Sequence, residues 1–394
     1  MKFKQLLTKE IQDFINQNLN QNIEALALKK NPFASVDYTE ILNQISAKKK
    51  AEEKLSTWYQ TDNIVFPSKI SIEQTSSEVA AKYKSSLISG KKIIDLTGGF
   101  GVDAYYFAKK FEIVFHCEIH QNLSEIVKHN FSILNQNNIQ CLQGDGLENL
   151  TKLNTTFDWI YIDPSRRNDS NNKVFFLKDC LPNVPNLLDT YFTYSKNILI
   201  KTAPLLDITN GIKELKFVKK ICIIAIKNEI KELLWELEYE YKSDIYIQAI
   251  SIENNNSTGF ETIYKKQYEV DYAFPKKYIY EPNSSLMKSG NVDALSRFYA
   301  IEKLHSHSHL FTSDIQIEFP GRCFVVQELM VFQKENMKKL ENKKMNCATR
   351  NFPLRVDEIK KKYKIKDGGT IFAFFTTNIN NEKIVLLCTK IDVQ

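Results

Sequence analysis

The chain has 394 residues, and at roughly 150 residues per domain this length predicts two or three domains with a substantial buried core. Hydrophobic residues make up 43% and charged residues 25% of the sequence, which is typical of folded globular proteins and excludes collagen-like and disordered chains. The net charge is +6, a modest value whose distribution along the chain is more informative than its size.

Neither secretion nor membrane spanning is expected. The sequence has no apolar run of about 18 residues. Residues 1–17 mix Lys, Glu and Asp with apolar residues, whereas a signal peptide has these types in ordered blocks. The seven cysteines occur singly, without CxxC spacing, which argues against zinc ribbons and disulfide frameworks. We therefore expect a reducing, cytoplasmic compartment.

The amino-terminal region, 1–70, is predicted to be helical. Apolar residues recur at helical spacing between Phe3 and Phe14, and again between Ile41 and Leu55. A further helix is predicted over 76–88, where a serine and a glycine end the pattern.

From Lys91 onward, short apolar strands alternate with amphipathic helices. Strands are predicted at 93–96, 113–118, 139–143, 159–163, 198–201, 220–226 and 245–252, and helices at 103–109, 123–135, 175–191 and 229–238. This alternation predicts an α/β fold whose parallel sheet binds ligands beyond the carboxyl ends of its strands. We assign 71–270 to this seven-stranded, Rossmann-like domain.

After about residue 270, the sequence is typical of a smaller α+β appendage. A helix is predicted over 291–304, and strands at 315–319, 323–332, 371–376 and 384–389. Between Lys334 and Lys366, ten lysines and two arginines accompany four acidic residues, a net charge of +8. Such a concentration of positive charge favours a polyanion such as RNA, and a solvated lysine-rich helix face is the alternative.

The sharpest local signal is the sequence DLTGGFG, from Asp95 to Gly101, at the junction of the first predicted strand and the next helix. Glycines at such a turn, here Gly98, Gly99 and Gly101, let a ligand approach the backbone closely. The amino terminus of the helix favours polar or anionic groups. The segment is therefore a candidate cofactor-binding loop.

Two acidic residues follow the next strands at the same edge of the sheet. Glu118 ends the second strand, 23 residues after Asp95, where a carboxylate can accept hydrogen bonds from both ribose hydroxyls of a nucleoside cofactor. Asp145 follows the third strand, where recognition of adenine would require a polar group. Both are predicted to bind the cofactor.

Two cofactors are compatible with this layout. A dinucleotide enzyme usually has GxGxxG around a pyrophosphate, and Gly99, Gly101 and Ala104 give only a looser form of that spacing. Read from Asp95, the segment resembles the first motif of class I S-adenosylmethionine (SAM) methyltransferases, with Thr97 at the first glycine position. The resemblance favours SAM, and a dinucleotide is the alternative.

The second signal is DPSRR, from Asp163 to Arg167, at the end of the fourth predicted strand. Amino-methylating relatives carry Asp or Asn, Pro, Pro and an aromatic residue here; the acid or amide and a neighbouring carbonyl hold the target amine. Asp163 and Pro164 keep this first half, whereas Ser165 and Arg166 replace the second proline and the ring. Arg166 and Arg167 are candidates for binding phosphate or stacking on a base, and a structural salt bridge is the alternative.

Several other residues are expected to be structural. His305, His307 and His309 alternate along the chain and could share one strand face. No Cys or Asp pair accompanies them, so no metal site is predicted. Lys201, at the end of the fifth predicted strand, could face the same cleft, but we expect it to be a plain surface lysine. No cysteine has a convincing nucleophile setting.

The region from 71 to 252 resembles a class I methyltransferase, and further stretches make the resemblance closer. They are IEQTSSEVAAKYK (72–84), EPNSSLMKSG (281–290), LHSHSHLFTSD (304–314), FPGRCF (319–324) and RNFPLRVDEIKKKYKIKDGG (350–369). These stretches are similar to bacterial proteins that join such a domain to a ferredoxin-like piece and a terminal THUMP-like domain. The resemblance implies a ferredoxin-like segment at 271–317, a THUMP-like domain at 318–394, and RNA as the substrate class.

The combined hypothesis is a SAM-dependent methyltransferase that modifies a base nitrogen of rRNA or tRNA. Asp95 and the three glycines would shape the methionine end of the pocket, Glu118 would bind ribose, and Asp145 the adenine amine. Asp163 and the Pro164 carbonyl would hold the acceptor amine. Two alternatives remain: an RNA-binding or assembly protein without turnover, and a small-molecule methyltransferase whose appendage serves dimerisation.

Overall fold

The computed structural model describes residues 2–166, 176–254 and 256–391. The chain divides into two units, one of Met1–Lys220 with Glu232–Ser243 and the other of Ile221–Lys231 with Asp244–Gln394. Within the described ranges, no helix combines the length and the apolar composition that crossing a bilayer requires.

Helices form the beginning of the first unit, as their apolar spacing predicts. They are α1 (Lys9–Gln17), α2 (Ile23–Ala27), α3 (Tyr38–Lys54), α4 (Ser56–Gln60), α5 (Lys69–Gln74) and α6 (Glu78–Ser86). The ring of Trp58 on α4 is fully buried, and its centroid lies 4.9 Å from that of Tyr105 and 6.2 Å from that of Phe100. The amino-terminal helices therefore pack onto the segment that follows the first strand.

Strands and helices then alternate along the first unit and into the second. They are β1 (Gly90–Asp95), α7 (Val102–Phe107), β2 (Phe111–Glu118), α8 (Gln121–Ile133), β3 (Ile139–Gln143), α9 (Gly146–Leu153), β4 (Trp159–Ile162), β5 (Ser165–Arg166), β6 (Cys180–Leu181), α10 (Val184–Phe192), β7 (Asn197–Thr202), α11 (Ile208–Glu214), β8 (Val218–Ile226) and β9 (Glu229–Glu238).

The main sheet of the first unit has the order β3-β2-β1-β4-β7-β9. Strands β1, β2, β3, β4 and β7 pair in parallel, and β9 is antiparallel to β7. The predicted α/β fold with a predominantly parallel sheet is confirmed. The carboxyl ends of β1 to β4 consequently meet at one edge, where the predicted site residues lie.

The prediction of a helix over 229–238 is wrong, because this segment is strand β9. Its apolar residues have helical spacing, but 233–238 pair with β7 residue by residue. The four consecutive residues 232–235 are all buried, as expected for a strand that is covered on both faces. Pairing in the sheet thus outweighs the local preference for helix.

The second unit contains two groups of strands. Residues 221–226 of β8 lie next to β10 (Tyr246–Glu253), which pairs with β11 (Asn256–Ile263). The later elements are β12 (Tyr278–Pro282), α12 (Ser284–Ser289), α13 (Ala294–Tyr299), β13 (Glu302–Lys303), β14 (Phe311–Ser313), β15 (Gly321–Val331), α14 (Lys334–Lys338), β16 (Asn346–Thr349), α15 (Val356–Tyr363), β17 (Ile371–Thr377) and β18 (Lys383–Ile391). Their sheet has the order β13-β14-β12-β15-β18-β17-β16, which confirms the predicted α+β appendage.

The predicted strand over 315–319 is wrong, since these described residues have no regular structure. The hydroxyl of Tyr280 donates to the carbonyl of Ile315 at 2.9 Å and accepts the N–H of Ile317 at 3.0 Å. These backbone groups therefore bond to a side chain where a strand would bond to a neighbouring strand.

A buried ion cluster joins four elements of the first unit. Lys84 on α6 is fully buried, and its Nζ lies 2.9 Å from Asp103 Oδ1, 3.1 Å from the Tyr161 hydroxyl and 3.3 Å from Glu232 Oε1. Asp103 Oδ2 accepts hydrogen bonds of 2.8 Å from the hydroxyls of Tyr161 and Ser76. Because these residues lie on or beside α6, α7, β4 and β9, the cluster fixes those elements relative to one another.

We expect Lys84→Met to lower the free energy of unfolding by about 3–5 kcal/mol, because it leaves the buried Asp103 carboxylate without its cation. Lys82→Met is the matched control, since Lys82 is exposed on the same helix. Equilibrium denaturation in urea measures both. Equal stability of the two variants would mean that the buried ion cluster does not hold the fold together.

Candidate active site

Asp95 ends β1 and lies beneath the loop that follows it. Its carboxylate is buried, and Oδ1 accepts the Thr97 N–H at 2.9 Å and the Thr97 hydroxyl at 3.3 Å. Burial, together with the carboxylates of Asp103 and Asp163, raises the pKa of Asp95 to about 8. Asp95 therefore supports the glycine loop, defined as residues 96–101, from the protein interior.

Thr97 occupies the position where the methyltransferase motif has its first glycine. Its hydroxyl oxygen accepts the backbone N–H of Asp163 at 2.7 Å. A glycine could not make this bond, because it has no side chain. The departure from the motif thus ties the glycine loop to the residue that follows β4.

Gly98 lies directly over the ring of His116. A Cβ at this position would be 2.3 Å from His116 Nε2, which is closer than any side chain can approach, so only glycine fits. Burial lowers the pKa of His116 to about 4, and the ring beneath the loop is therefore neutral at physiological pH.

The N–H groups of the three glycines in the loop already have acceptors within the protein. Gly98 donates to the carbonyl of Cys117 at 2.8 Å, Gly99 to Glu118 Oε2 at 3.0 Å, and Gly101 to the carbonyl of Gly98 at 3.0 Å. A pyrophosphate needs several free N–H groups pointing at its oxygens. These three glycine N–H groups are not available for that purpose.

Glu118 ends β2 and is buried. Its Oε2 accepts the Gly99 N–H at 3.0 Å and its Oε1 accepts the His120 N–H at 2.7 Å. A carboxylate offers about four acceptor sites. Each oxygen therefore keeps one site, an arrangement that suits a pair of neighbouring hydroxyl donors.

Asp145 is the N-cap of α9. Its Oδ1 accepts the N–H groups of Leu147 at 2.9 Å and Glu148 at 3.0 Å, and no group of the described residues bonds to Oδ2. The neighbouring Gly144 donates its N–H to the carbonyl of Glu118 at 2.9 Å. The structure thus brings the loops after β1, β2 and β3 together, as the sequence predicts for this edge of the sheet.

Asp163 follows β4 and forms an ion pair with Lys201 of β7. The Asp163 side chain is 34% exposed and that of Lys201 is 12% exposed. Burial opposes the charge of Lys201, but the carboxylates of Asp163, Glu232 and Asp103 outweigh it and raise its pKa. The expectation that Lys201 is a plain surface lysine is therefore wrong.

The Asp163–Lys201 pair is electrostatically coupled to the buried ion cluster. Burial raises the pKa of Glu232, and the ammonium groups of Lys84 and Lys201 counteract it only in part. For Asp103, burial favours the neutral acid, but the positive charges of Lys84 and Lys201 have the larger effect and lower the pKa of Asp103. Asp103 is thus the ionised partner of Lys84, whereas the pKa of Glu232 stays above its usual value.

Sequence reasoning missed the roles of Lys84 and Glu232. Lys84 belongs to the stretch IEQTSSEVAAKYK, and on α6 it shares a buried face with Ala80, Ala81 and Ser85. A lysine four residues after a buried alanine is the signal that could have identified it, because i and i+4 lie on one helix face. The role of Glu232 was missed because the segment 229–238 was incorrectly predicted to be a helix.

The DPSRR segment leaves the main sheet after Asp163. Strand β5 pairs with β6 in an antiparallel ribbon, with Ser165 opposite Leu181. Arg167 lies outside the described residues, and of Arg166 the structure describes the backbone. Pro164 lines a small, mainly apolar pocket together with Phe176, Leu177, Cys180, Thr202, Ala203 and Leu206.

The three alternating histidines do not share a strand face, because they lie around a turn. The ring of His305 bonds to the side chains of Asn381 and Asn351, each at 3.0 Å. Among the described residues, no three His, Cys, Asp or Glu side chains are grouped so that they could hold a metal ion.

Known proteins resemble both units. Residues 278–320 match the model of a ferredoxin-like domain, and residues 321–390 match a THUMP domain-like model. A candidate methyltransferase from Porphyromonas gingivalis W83, whose crystal structure is known, has 28% sequence identity to this chain. The two structures match over 99% of each chain with a TM-score of 0.88. A comparison with curated proteins gives no match.

Two further solved structures overlap with part of the chain. M. capricolum TrmK in complex with S-adenosyl-homocysteine is 16% identical, covers 42% of this chain and 69% of its own, and has a TM-score of 0.33. The M. jannaschii tRNA m1G37 methyltransferase is 13% identical, with coverage of 43% and 51% and a TM-score of 0.30. Each of these two structures resembles less than half of this chain.

The chain thus has the fold of a class I methyltransferase. It is similar along 99% of its length to the candidate methyltransferase from Porphyromonas gingivalis, and its ferredoxin-like and THUMP-like domains follow in the expected order. The resemblance to bacterial methyltransferases that carry these two domains is confirmed.

We expect Thr97→Val to lower the free energy of unfolding by about 1 kcal/mol, because the part-buried N–H of Asp163 loses its acceptor while the shape of the side chain is kept. Thr97→Ser keeps the hydroxyl and should be closer to the wild type. Urea denaturation of the three proteins measures the difference. If Thr97→Val were as stable as Thr97→Ser, the hydroxyl bridge would not matter.

Proposed function

We propose that the protein is a SAM-dependent methyltransferase that modifies a base nitrogen of RNA, either rRNA or tRNA. The observation that carries this proposal is the placement of Asp163 and Pro164 beside the glycine loop. Asp163 is held there by two bonds, its N–H to Thr97 and its carboxylate to Lys201. A carboxylate fixed in this way next to a nucleoside site can orient an acceptor amine.

The donor and acceptor groups of the site fit SAM. The free acceptor sites on Glu118 suit the two ribose hydroxyls, and Asp145 Oδ2 suits the adenine amine. Gly98, Gly99 and Gly101, supported by Asp95, would shape the methionine end. SAM, when bound, supplies an electrophilic methyl group on a sulfonium.

The glycine loop argues against the dinucleotide alternative. Its three glycine N–H groups are already bonded within the protein, whereas a pyrophosphate would need such groups free. SAM has no phosphate and makes no such demand. The preference for SAM therefore has a structural basis in addition to the sequence motif.

The residues around Asp163 would act mainly by positioning. The Asp163 carboxylate and the Pro164 carbonyl would accept hydrogen bonds from the target amine and direct its lone pair toward the methyl group. Correct proximity and orientation can account for about 7–11 kcal/mol of a reaction barrier. Lys201 would act through Asp163, because it holds the carboxylate in one orientation.

RNA is supported as the substrate class by the second unit. A THUMP domain-like model matches 321–390, and the segment from Lys334 to Lys366 carries a net charge of +8. Phosphate contacts dominate the affinity of proteins for nucleic acids. Arg166 and Arg167, next to Asp163 in the sequence, would add contacts to phosphate or base close to the acceptor.

The direct test has two steps. Calorimetry with SAM measures cofactor binding, and transfer of a labelled methyl group to RNA from cells that lack the protein measures activity. We expect both to be positive. Cofactor binding without transfer to RNA would favour a small-molecule methyltransferase, and RNA binding without cofactor binding would favour a protein that has lost turnover.

We expect Glu118→Ala to weaken the binding of S-adenosyl-homocysteine at least about tenfold, since each charge-assisted hydrogen bond to ribose contributes about 1.5–3 kcal/mol. Glu112→Ala is the matched control, because Glu112 is exposed on the same strand. Calorimetry measures both affinities. Tighter binding of NAD than of SAM by the wild type would contradict the cofactor assignment.

Asp163→Ala should lower the single-turnover rate at saturating RNA by roughly a hundredfold and change cofactor affinity little, because misplacing a reacting group by about 1 Å has an effect of that size. Lys201→Met should lower the same rate, with partial rescue in Lys201→Arg. Arg166→Ala should mainly raise the RNA concentration that is needed.

The control for Lys201 is Lys196→Met, which removes an exposed lysine just before the same strand. Rapid-quench kinetics with labelled SAM gives the rates. Near-normal single-turnover rates for Asp163→Ala would assign the acceptor site to another residue.

A further inference from the structure

Several motifs of the second unit converge on one buried carboxylate, that of Glu281. Glu281 comes from the stretch EPNSSLMKSG and is 4% exposed. Arg322, from FPGRCF, and Arg350, from RNFPLR, both form ion pairs with it. The next residue, Asn351, bonds to the ring of His305 at 3.0 Å, which adds the stretch LHSHSH to the same place.

The backbone fixes this arrangement. Glu281 on β12 lies opposite Arg322 on β15 in the antiparallel ladder. A Cβ on Gly321 would be 2.1 Å from the Glu281 carbonyl oxygen, so the glycine permits the close approach of the two strands. Arg350 follows β16, and its N–H donates to the carbonyl of Phe375 at 2.9 Å. The ladder thus fixes Glu281 opposite Arg322, and the bond to β17 holds the backbone of Arg350 after the end of β16.

The two guanidinium groups are oriented by contacts on one side. Arg322 Nε donates to Glu281 Oε2 at 2.7 Å, its Nη2 donates to the same oxygen, and its Cζ lies 5.5 Å from the centre of the Phe324 ring. Arg350 donates through Nη2 to Glu281 Oε1 and through Nη1 to the Thr349 carbonyl at 2.7 Å. Each group therefore has a fixed direction before any ligand arrives.

Neither guanidinium is fully engaged by the residues that the structure describes. A guanidinium has five N–H donors, and the bonds described use two on each arginine. The side chains remain 40% exposed for Arg322 and 36% exposed for Arg350. One cation would suffice to neutralise Glu281, so the second leaves the group with a net charge of +1.

We infer that Arg322 and Arg350, held by Glu281, form a binding site for a phosphodiester group of the RNA. Planar guanidinium donors match the geometry of phosphate oxygens, and pre-oriented donors lose little freedom on binding. The inference rests on the proposed function, because it takes RNA as the ligand. It assigns part of the RNA contact to a rigid arginine pair in addition to the long lysine side chains of the segment from Lys334 to Lys366.

The test uses the full-length protein with Glu281→Gln, Arg322→Gln and Arg350→Gln combined. Replacing all three residues avoids leaving a buried carboxylate without a partner, and it removes one net positive charge. Arg297→Gln is the matched control, because it removes the same net charge from an exposed position on α13. Binding of fluorescein-labelled total transfer RNA and of a labelled short oligouridylate is measured by anisotropy at several salt concentrations.

We expect the triple variant to bind both RNAs about tenfold more weakly or worse, since the removal of one charge-assisted bond corresponds to that factor. The slope of its salt dependence on single-stranded RNA should be shallower by about 0.7 for each phosphate that the arginines no longer neutralise. Arg297→Gln should change the affinity less than twofold or thereabouts. A second variant, Arg322→Lys with Arg350→Lys, keeps Glu281 paired and should weaken binding to an intermediate extent, because lysine lacks the planar donors.

The outcomes separate the two proposals. Wild-type affinity and salt slope in both the triple and the double-lysine variants would overturn the arginine site and leave the proposed function intact. Absence of RNA binding by the wild type would overturn the proposed function itself. Tight binding of AMP or inorganic phosphate by the wild type but not by the triple variant, with equal RNA affinity in the two proteins, would assign the pair to a free nucleotide or phosphate and overturn the RNA assignment.

Discussion

A lysine ammonium that is fully buried needs permanent counter-charges, and the candidate active site is built around the groups that meet this need. Lys84 contacts Asp103, Tyr161 and Glu232. Asp103 lies in the first turn of the helix after the glycine loop, Tyr161 precedes the Asp163 segment, and Glu232 lies on the strand next to that of Lys201. Because an unpaired charge in this interior is costly, the loops that these residues flank have little freedom to rearrange.

The charges beneath the site balance only if some of the acids are neutral. The cations are Lys84 and Lys201, and the acids are Asp95, Asp103, Asp163 and Glu232. Burial raises the pKa of Asp95 to about 8 and also raises that of Glu232, and both shifts reduce the negative charge beneath the site. The stability that proton binding by Asp95 contributes is complete below the pKa of the unfolded chain and is lost as pH rises toward about 8.

The sequence allowed the parallel strands of the main sheet, the glycine loop and the convergence of Glu118, Asp145 and Asp163 to be predicted, because apolar runs and chain order determine where parallel strands end. It did not reveal β9, whose leucines have helical spacing although the sheet makes the segment a strand. The partner of Lys201 was also missed. Ion pairs between β4 and β7 depend on which strands are neighbours, and spacing along the chain carries no information about that.

The hydroxyl bridge at Thr97 has a consequence for how the binding of the two ligands is related. The N–H of Asp163 bonds to the hydroxyl of Thr97. This one hydrogen bond therefore connects the loop that would bind the cofactor to the residue that would bind the acceptor. A ligand that displaces Thr97 also displaces Asp163, and the two binding equilibria are then linked. Such linkage is reciprocal: the factor by which one ligand alters the affinity for the other is the same in both directions.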